Sequence, residues 1–300
     1  MKTIIVPTDF SETAENALDY AIEMAKLMDS TILLLHVCQH TNASGNLSKL
    51  DLEKKKQKAL RLLEQHIQKS ESKITFELCL EPQNVVGKIT ELAKEWNAEL
   101  IIFGVSNGLY EESVVGKNTS NAISNLATPV LMIPSKLKFR TPTKVVFAAD
   151  YLELKNDRPL TALLNFILFF NSKLFIVNVK GADEKTSSKS IAVFLNVRKL
   201  IRNVNHSIHH AINESVVDGI NEFVKERDAE IVAMIPHKHN LLYRLFSIGT
   251  VKKMAFKSTA PLLAIPEGIK MPVFVSNIPP VLPERIFEKE IQWFNEQCAI

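Results

Sequence analysis

Three hundred residues exceed what one hydrophobic core ordinarily fills, so two domains of common size are expected. With 46% hydrophobic residues, 23% charged residues and a net charge of only +3, the composition excludes a disordered chain and a polybasic nucleic-acid binder. Cys38, Cys79 and Cys298 are too few and too scattered for a disulfide framework or a zinc site, and they read as free thiols.

The chain opens on "MKTIIVPTDF", in which Pro7 and Asp9 arrive too early for the apolar run of a signal peptide. No later window approaches the roughly 18 apolar residues of a spanning helix, so a cytoplasmic protein without a membrane partner is expected. After the strand "TIIV", Ser11 is placed to cap a helix whose stripe is Ala14, Ala17, Leu18, Ala21, Ile22 and Ala25. "TILLLHV" is a second strand ending at Val37. The Lys-rich piece "LEKKKQKALRLLEQHIQK" interleaves its charges with Ala59, Leu60, Leu62, Leu63 and Ile67 at helical spacing, which describes a solvated helix face. "ITFELCL", the helix "NVVGKITELAKEWNAE", "ELIIF", the loop "FGVSNGLYEESVVGKNTSN" and "PVLMI" follow. These strands are apolar on both faces, as strands covered by helices on both sides should be.

The pattern then repeats. "TIIVPTDF" matches "KVVFAADY" and "STILLLHV" matches "SKLFIVNV", at offsets of 141 and 142 residues. "NVVGKITELAKEWNAE" matches "SVVDGINEFVKERDAE" and "ATPVLMIP" matches "TAPLLAIP", at offsets of 131 and 132. The first copy therefore carries about eleven extra residues, where the Lys-rich helix sits. The expected fold class is α/β: two tandem doubly wound domains, 1–136 and 143–266, each a parallel sheet of about five strands with helices on both faces, followed by an extension at 267–300. Ligands of such sheets bind beyond the carboxyl ends of the strands where strand order reverses, which places Pro7, Thr8, Asp9, Val37 and Gly104 on one rim.

"IIVPTDFS", "LLLHV", "NAELIIFG" and "ATPVLMIP" together resemble the universal stress protein family in its tandem form, well over 1–136 and more faintly over 143–266. The resemblance implies an adenine nucleotide alpha hydrolase-like fold and a stress-response protein. It also implies ATP or AMP as ligand, with magnesium accompanying ATP. Nucleotide-binding members carry a loop of Gly, two residues, Gly, nine residues, Gly, then Ser or Thr, after the fourth strand. Glycines let the backbone approach phosphates, and exposed N–H groups with the following helix N-terminus favour an anion. The resemblance implies that Asp9 and Val37 line the nucleoside part of the site.

Carried over, Gly104 takes the first glycine and Gly116 the third, Asn107 stands in for the second, and Lys117 replaces the Ser or Thr ahead of Asn118. The loop is one residue short, although Asn107 tolerates positive φ and Gly108 is adjacent. A P-loop is excluded, because Glu111 occupies its required glycine and Asn118 its Ser or Thr. In the second copy, Asp150, Val179, Gly249 and Thr250 are the surviving matches. Ile235 or Pro236 falls at the first glycine, Lys238 or His239 at the second, and Ala148 replaces the proline of "PTD". Nucleotide binding is expected in the first domain only.

No metal site is expected. His206, His209 and His210 belong to a third strand, with His206 and His210 on one face and His209 on the other, and His237 and His239 flank Lys238 on a basic loop. No nucleophile–base pattern or paired carboxylates support an enzyme, so no catalytic residue is expected. A weak ATPase around Asp9 and Lys117, and a scaffold acting through the tail, are the rival readings. The tail holds "LPERIFEKEIQWFNEQ", a short helix whose Ile286, Phe287, Ile291 and Phe294 can pack, with Trp293 read as packing across the domains. The closing strands "PVLMI" and "PLLAI" are expected to pair antiparallel, making the two domains an internal pseudo-dimer and burying two sheet edges. Assembly into a homodimer stays open.

Overall fold

The computed structural model of the chain describes residues 2–37, 54, 57–58, 61, 74–79, 85–105, 126–149, 157–180, 200–236, 253–254, 257–269 and 273–274. Its first half contains β1 (Lys2–Pro7), α1 (Glu12–Met28), β2 (Ser30–Val37), β3 (Ile74–Cys79), α2 (Val85–Glu95), β4 (Ala98–Val105) and β5 (Val130–Pro134). Its second half contains β6 (Lys144–Ala148), α3 (Arg158–Phe169), β7 (Lys173–Lys180), β8 (His206–Ile212), α4 (Val216–Arg227), β9 (Ile231–Met234) and β10 (Leu262–Ala264).

Local sequence sets the helix ends. Ser11 accepts the amide of Ala14 at 3.3 Å to start α1, and Asp29 ends it in the left-handed region at φ 47°. Ser215 and Asp228 do the same for α4, through the Asp218 amide at 3.3 Å and a φ of 49°. Charged residues at these caps tolerate the left-handed turn because their short polar chains bond locally.

All ten strands form one sheet in the order β3-β2-β1-β4-β5-β10-β9-β6-β7-β8. The two halves thus read outward from the middle with the same strand sequence, fourth, first, second and third in turn. Every described pairing is parallel except the central one, where β5 and β10 run antiparallel with Leu131 opposite Leu263. That junction uses the closing strands anticipated from the repeat, and it converts two open edges into interior pairs.

Because successive strand residues face opposite sides, the cores alternate. Ile4, Val6, Ile32 and Leu34 join α1 and α3 in one apolar layer, while Ile5, Leu33, Leu35 and Ile101 join α2 and α4 in the other. Both layers run across the β5–β10 junction, with Leu131 and Leu263 on one side and Met132 and Leu262 on the other.

β8 carries the three histidines as anticipated. His209 lies toward α4, 5.0 Å from the Phe223 ring, while Ile208 packs on the α1–α3 side. The fourth strand differs from the expectation: β4 continues through Gly104 and Val105, because these residues pair with Ile133 and Pro134 of β5. Gly104 is therefore a strand residue and not the first residue of a loop. Beyond the last block of the repeat, Ile269, Val273 and Phe274 are buried in the α1–α3 core. Trp293 and the tail helix lie outside the described residues, as does most of the Lys-rich piece, of which residues 54, 57, 58 and 61 are helical.

Candidate functional site

The strand order reverses at β1, which lies between β2 and β4. Its carboxyl end is therefore the place where a doubly wound sheet leaves a crevice. The chain there is fixed by its own side chains. Thr8 donates its amide to Leu35 O at 2.8 Å, and its hydroxyl accepts the Phe10 amide at 3.0 Å. The Asp9 carboxylate accepts the Ser11 amide at 3.0 Å, and Phe10 takes φ 62° between them. Two short side-chain turns and one left-handed residue thus turn the chain from β1 into α1. Asp9 stays exposed while Thr8 and Phe10 are buried.

His36, which the sequence reading passed over, holds this turn from β2. Its Nδ1 lies 2.7 Å from Thr8 O, and since a carbonyl can only accept, Nδ1 carries the proton. Its ring lies 4.6 Å from that of Phe10. Lys58 was also read only as part of a solvated face. Its ammonium donates to Phe10 O at 2.8 Å and lies 5.6 Å from the Phe10 ring, so the inserted helix delivers one cation to the rim. The signal for His36 was its place just before Val37. Nothing in the run of neighbouring lysines singles out Lys58.

Pro7, Thr8 and Asp9 at the end of β1, Val37 at the end of β2 and Gly104 near the end of β4 all lie along the rim. Gly104 is constrained by packing as well as by position. A Cβ built there would lie 2.3 Å from the backbone oxygen of Thr13 and 2.9 Å from its Cγ2, so only glycine lets the first turn of α1 lie on β4. Asn107, Gly116, Lys117 and Asn118 fall outside the described residues.

Beside this rim, on its β5 side, a cleft of about 310 Å³ opens between α1 and the chain leaving β5. Glu12, Thr13 and Asp19 line one wall, and Lys136 and Lys138 the other. Asn16 spans its floor, donating to Pro134 O at 3.4 Å and Leu137 O at 3.2 Å. The cleft shares Thr13 with the Gly104 contact but includes neither Asp9 nor Val37.

The second half repeats the frame with different contents. Asn178 takes the place of His36 and donates to Ala149 O at 2.8 Å, as His36 does to Thr8 O. Ile101 pairs with Val130 and Val232 with Leu262, so the registers align Gly104 with Ile235 and settle the alternative left by the sequence. Ile235 is buried in the α1–α3 core, filling the space that Gly104 leaves to Thr13. By the offset of 142, Arg158 corresponds to Asn16, so α3 begins one turn later than α1. Val179 is buried against α4, its Cγ1 only 2.8 Å from where a Cβ on Gly219 would stand. Asp150, Gly249 and Thr250, and His237 and His239 of the basic loop, lie outside the described residues.

At the edge of this half, His209 meets Ser207 Oγ through Nε2 at 2.9 Å, and burial, with Arg227 and Lys173 nearby, lowers its pKa. Among the described residues no cluster of three or more His, Cys, Asp or Glu side chains is arranged to hold a metal. No described helix is long and apolar enough to cross a membrane.

Residues 1–134 match the model of the Universal stress protein family. Among solved structures, the chain is similar to a universal stress protein from Archaeoglobus fulgidus DSM 4304, at 18% identity and a TM-score of 0.66, over 89% of this chain and 98% of that one. It is also similar to a functionally unknown protein from Pseudomonas aeruginosa PAO1, at 13% identity and a TM-score of 0.57, over 89% and 93%. At these identities the likeness is one of fold, and it extends across both halves. No curated protein matches the chain.

Proposed function

From the premise that residues 1–134 form a universal stress protein domain, we propose that the chain is a stress-response protein whose first half binds an adenine nucleotide without turning it over. The observation that carries this reading is the rim around β1: Thr8, Asp9, Val37 and Gly104 lie at or near the carboxyl ends of neighbouring strands where strand order reverses, while the equivalent of Gly104 in the second half is a buried isoleucine. Asp9 is exposed and bound to the Ser11 amide, which suits a carboxylate that orders the turn and accepts from a ribose better than one that abstracts a proton. Lys58 adds a cation beside the rim. The loop residues Asn107, Gly116, Lys117 and Asn118 would contact the phosphates, with magnesium accompanying ATP.

In this reading the halves are tandem domains, 1–136 and 143–266, joined through β5 and β10 as an internal pseudo-dimer, and the second domain serves as the permanent partner of the first. Isothermal titration with ATP and with AMP tests the ligand: saturable heat at or below millimolar concentration is expected, and Asp9→Ala should weaken it. Flat titrations with both nucleotides would remove the nucleotide and leave an interaction protein. Phosphate release that disappears with Asp9→Ala would instead favour a weak ATPase.

A further inference from the structure

The two halves also differ where the second strand and the second helix of each lie against one another. By the offsets of the repeat, Thr31, Leu33, Leu92 and Trp96 of the first half correspond to Lys173, Phe175, Phe223 and Arg227 of the second. Strand register adds a further pair: Glu77 stands beside Leu35 in β3, and His209 stands beside Val177 in β8. In the first half Trp96 packs on the apolar layer of α2 and α4. In the second half the same positions hold a lysine, an arginine and a histidine over two phenyl rings, at the amino end of β7 and so remote from the rim of that half.

Phe175 and Phe223 are buried with ring centroids 6.4 Å apart. Arg227 Cζ lies 5.0 Å from the Phe223 centroid and 5.7 Å from that of Phe175, and Lys173 Nζ lies 5.0 Å from the Phe175 centroid. The His209 ring lies 6.0 Å from Phe175 and 5.0 Å from Phe223. The ring faces attract each cation singly, and the last turn of α4 suits Arg227. Neither attraction accounts for two cations and an imidazole around one ring, where like charges repel. Among the described residues neither Lys173 nor Arg227 forms an ion pair, and Arg227 Nε is buried without a hydrogen-bond partner. The next acids along the chain, Asp228 and Glu230, are engaged by Arg140 at 2.9 Å.

We propose that Lys173, Arg227 and His209 form a site for the phosphoryl group of a small anionic ligand. The guanidinium offers a planar fork that matches two phosphoryl oxygens, and the exposed ammonium of Lys173 adds a second charge from β7. His209 Nε2 meets Ser207 Oγ at 2.9 Å, and in either tautomer this pair keeps one donor to give: Nδ1–H if the hydroxyl donates to the ring, the hydroxyl if the ring donates to it. Three kinds of donor around one ring suit a compact anion of more than one charge. The site belongs to the second half and is independent of the nucleotide reading of the first.

The magnetic resonance signals of the His209 ring in the full chain test the site, with inorganic phosphate as the probe and sodium chloride at equal ionic strength as the control. Phosphate is expected to shift these signals saturably, and chloride is not. Arg227→Trp, which borrows the first half's side chain and so keeps the packing, should weaken phosphate about tenfold or more, as should Lys173→Thr. Asp9→Ala should leave the phosphate response in place. No shift, a shift matched by chloride, affinity unchanged in either second-half variant, or loss of the response with Asp9→Ala overturns the proposal. Should Arg227→Trp fail to fold, Lys173→Thr at its exposed position carries the same test.

Discussion

At the carboxyl end of the fourth strand the two halves of the sheet make opposite choices. The first half puts Gly104 there and lets the first turn of α1 descend onto the strand, while the second puts Ile235 there, fills the core and starts its helix one turn later. The frames are otherwise alike: a side chain from the second strand holds the end of the first, His36 in one half and Asn178 in the other. The same strand position can therefore hold a glycine or an isoleucine without disturbing the sheet, because it needs only the right register and enough apolar volume.

The largest effect is expected from forcing the first half to resemble the second. Gly104→Ile would drive a Cβ to 2.3 Å from the backbone oxygen of Thr13, and since backbone cannot swing aside, α1 must move. A loss of about 3 kcal/mol in urea unfolding is expected, with nucleotide heat abolished. A variant within about 1 kcal/mol of wild type would show that the contact yields and would sink the packing argument.

The converse, Ile235→Ala, should cost a similar amount, about 3 kcal/mol, by leaving a cavity in the α1–α3 core. Its nucleotide titration should match wild type, because the first-half rim is untouched. A new binding event would show that Ile235 alone blocks the second half.

The two glutamates sharpen the comparison further. Glu230 gathers an amide, a hydroxyl and a guanidinium, whereas Glu99 faces Lys2 Nζ at 4.0 Å. Glu230→Gln places an amide donor against these donors and should lower stability by about 2 kcal/mol in guanidinium titration. Glu99→Gln should do less, and an equal loss would mean that the two glutamates bear alike on the fold.

The smallest effect concerns pH. Burial raises the pKa of Glu99 above the ordinary carboxylate range, more than Lys2 and the Phe274 amide lower it. The folded state therefore holds this proton more tightly than the unfolded state, so Glu99 costs stability as pH rises from its unfolded pKa through its folded one. Asp228 has the opposite sign: hydrogen bonding and charge from Arg140 depress its pKa, so its contribution is full above the unfolded value and fades as pH falls through the folded one. Glu99→Gln should flatten the fall of a stability profile as pH rises through and above the ordinary carboxylate range. An unchanged slope there would mean that water reaches the carboxylate.

Much of this was legible in the residues. The repeat, the doubly wound halves and the antiparallel junction at "PVLMI" and "PLLAI" follow from apolar runs of strand length separated by helical stripes, which admit few layered solutions. The rim residues Pro7, Thr8, Asp9, Val37 and Gly104 follow from strand ends. Lys58 was not legible, because an exposed lysine on a charged helix looks the same whether or not its tip finds a carbonyl. Nor was the burial of Val273 and Phe274, since "MPVFVSNIPP" carries no periodicity to set it apart from a loose extension.

By itself, then, the sequence determined the elements, their doubling and the side of the sheet on which a ligand would sit, all of which depend on local periodicity and on where strands stop. Only the tertiary structure decided why Gly104 must be glycine, that Ile235 is its counterpart, and that Phe274 packs edge-on to Phe166. Those are contacts between residues distant in the chain, and their energy comes from close packing and from buried donors meeting acceptors, which no spacing within a segment encodes.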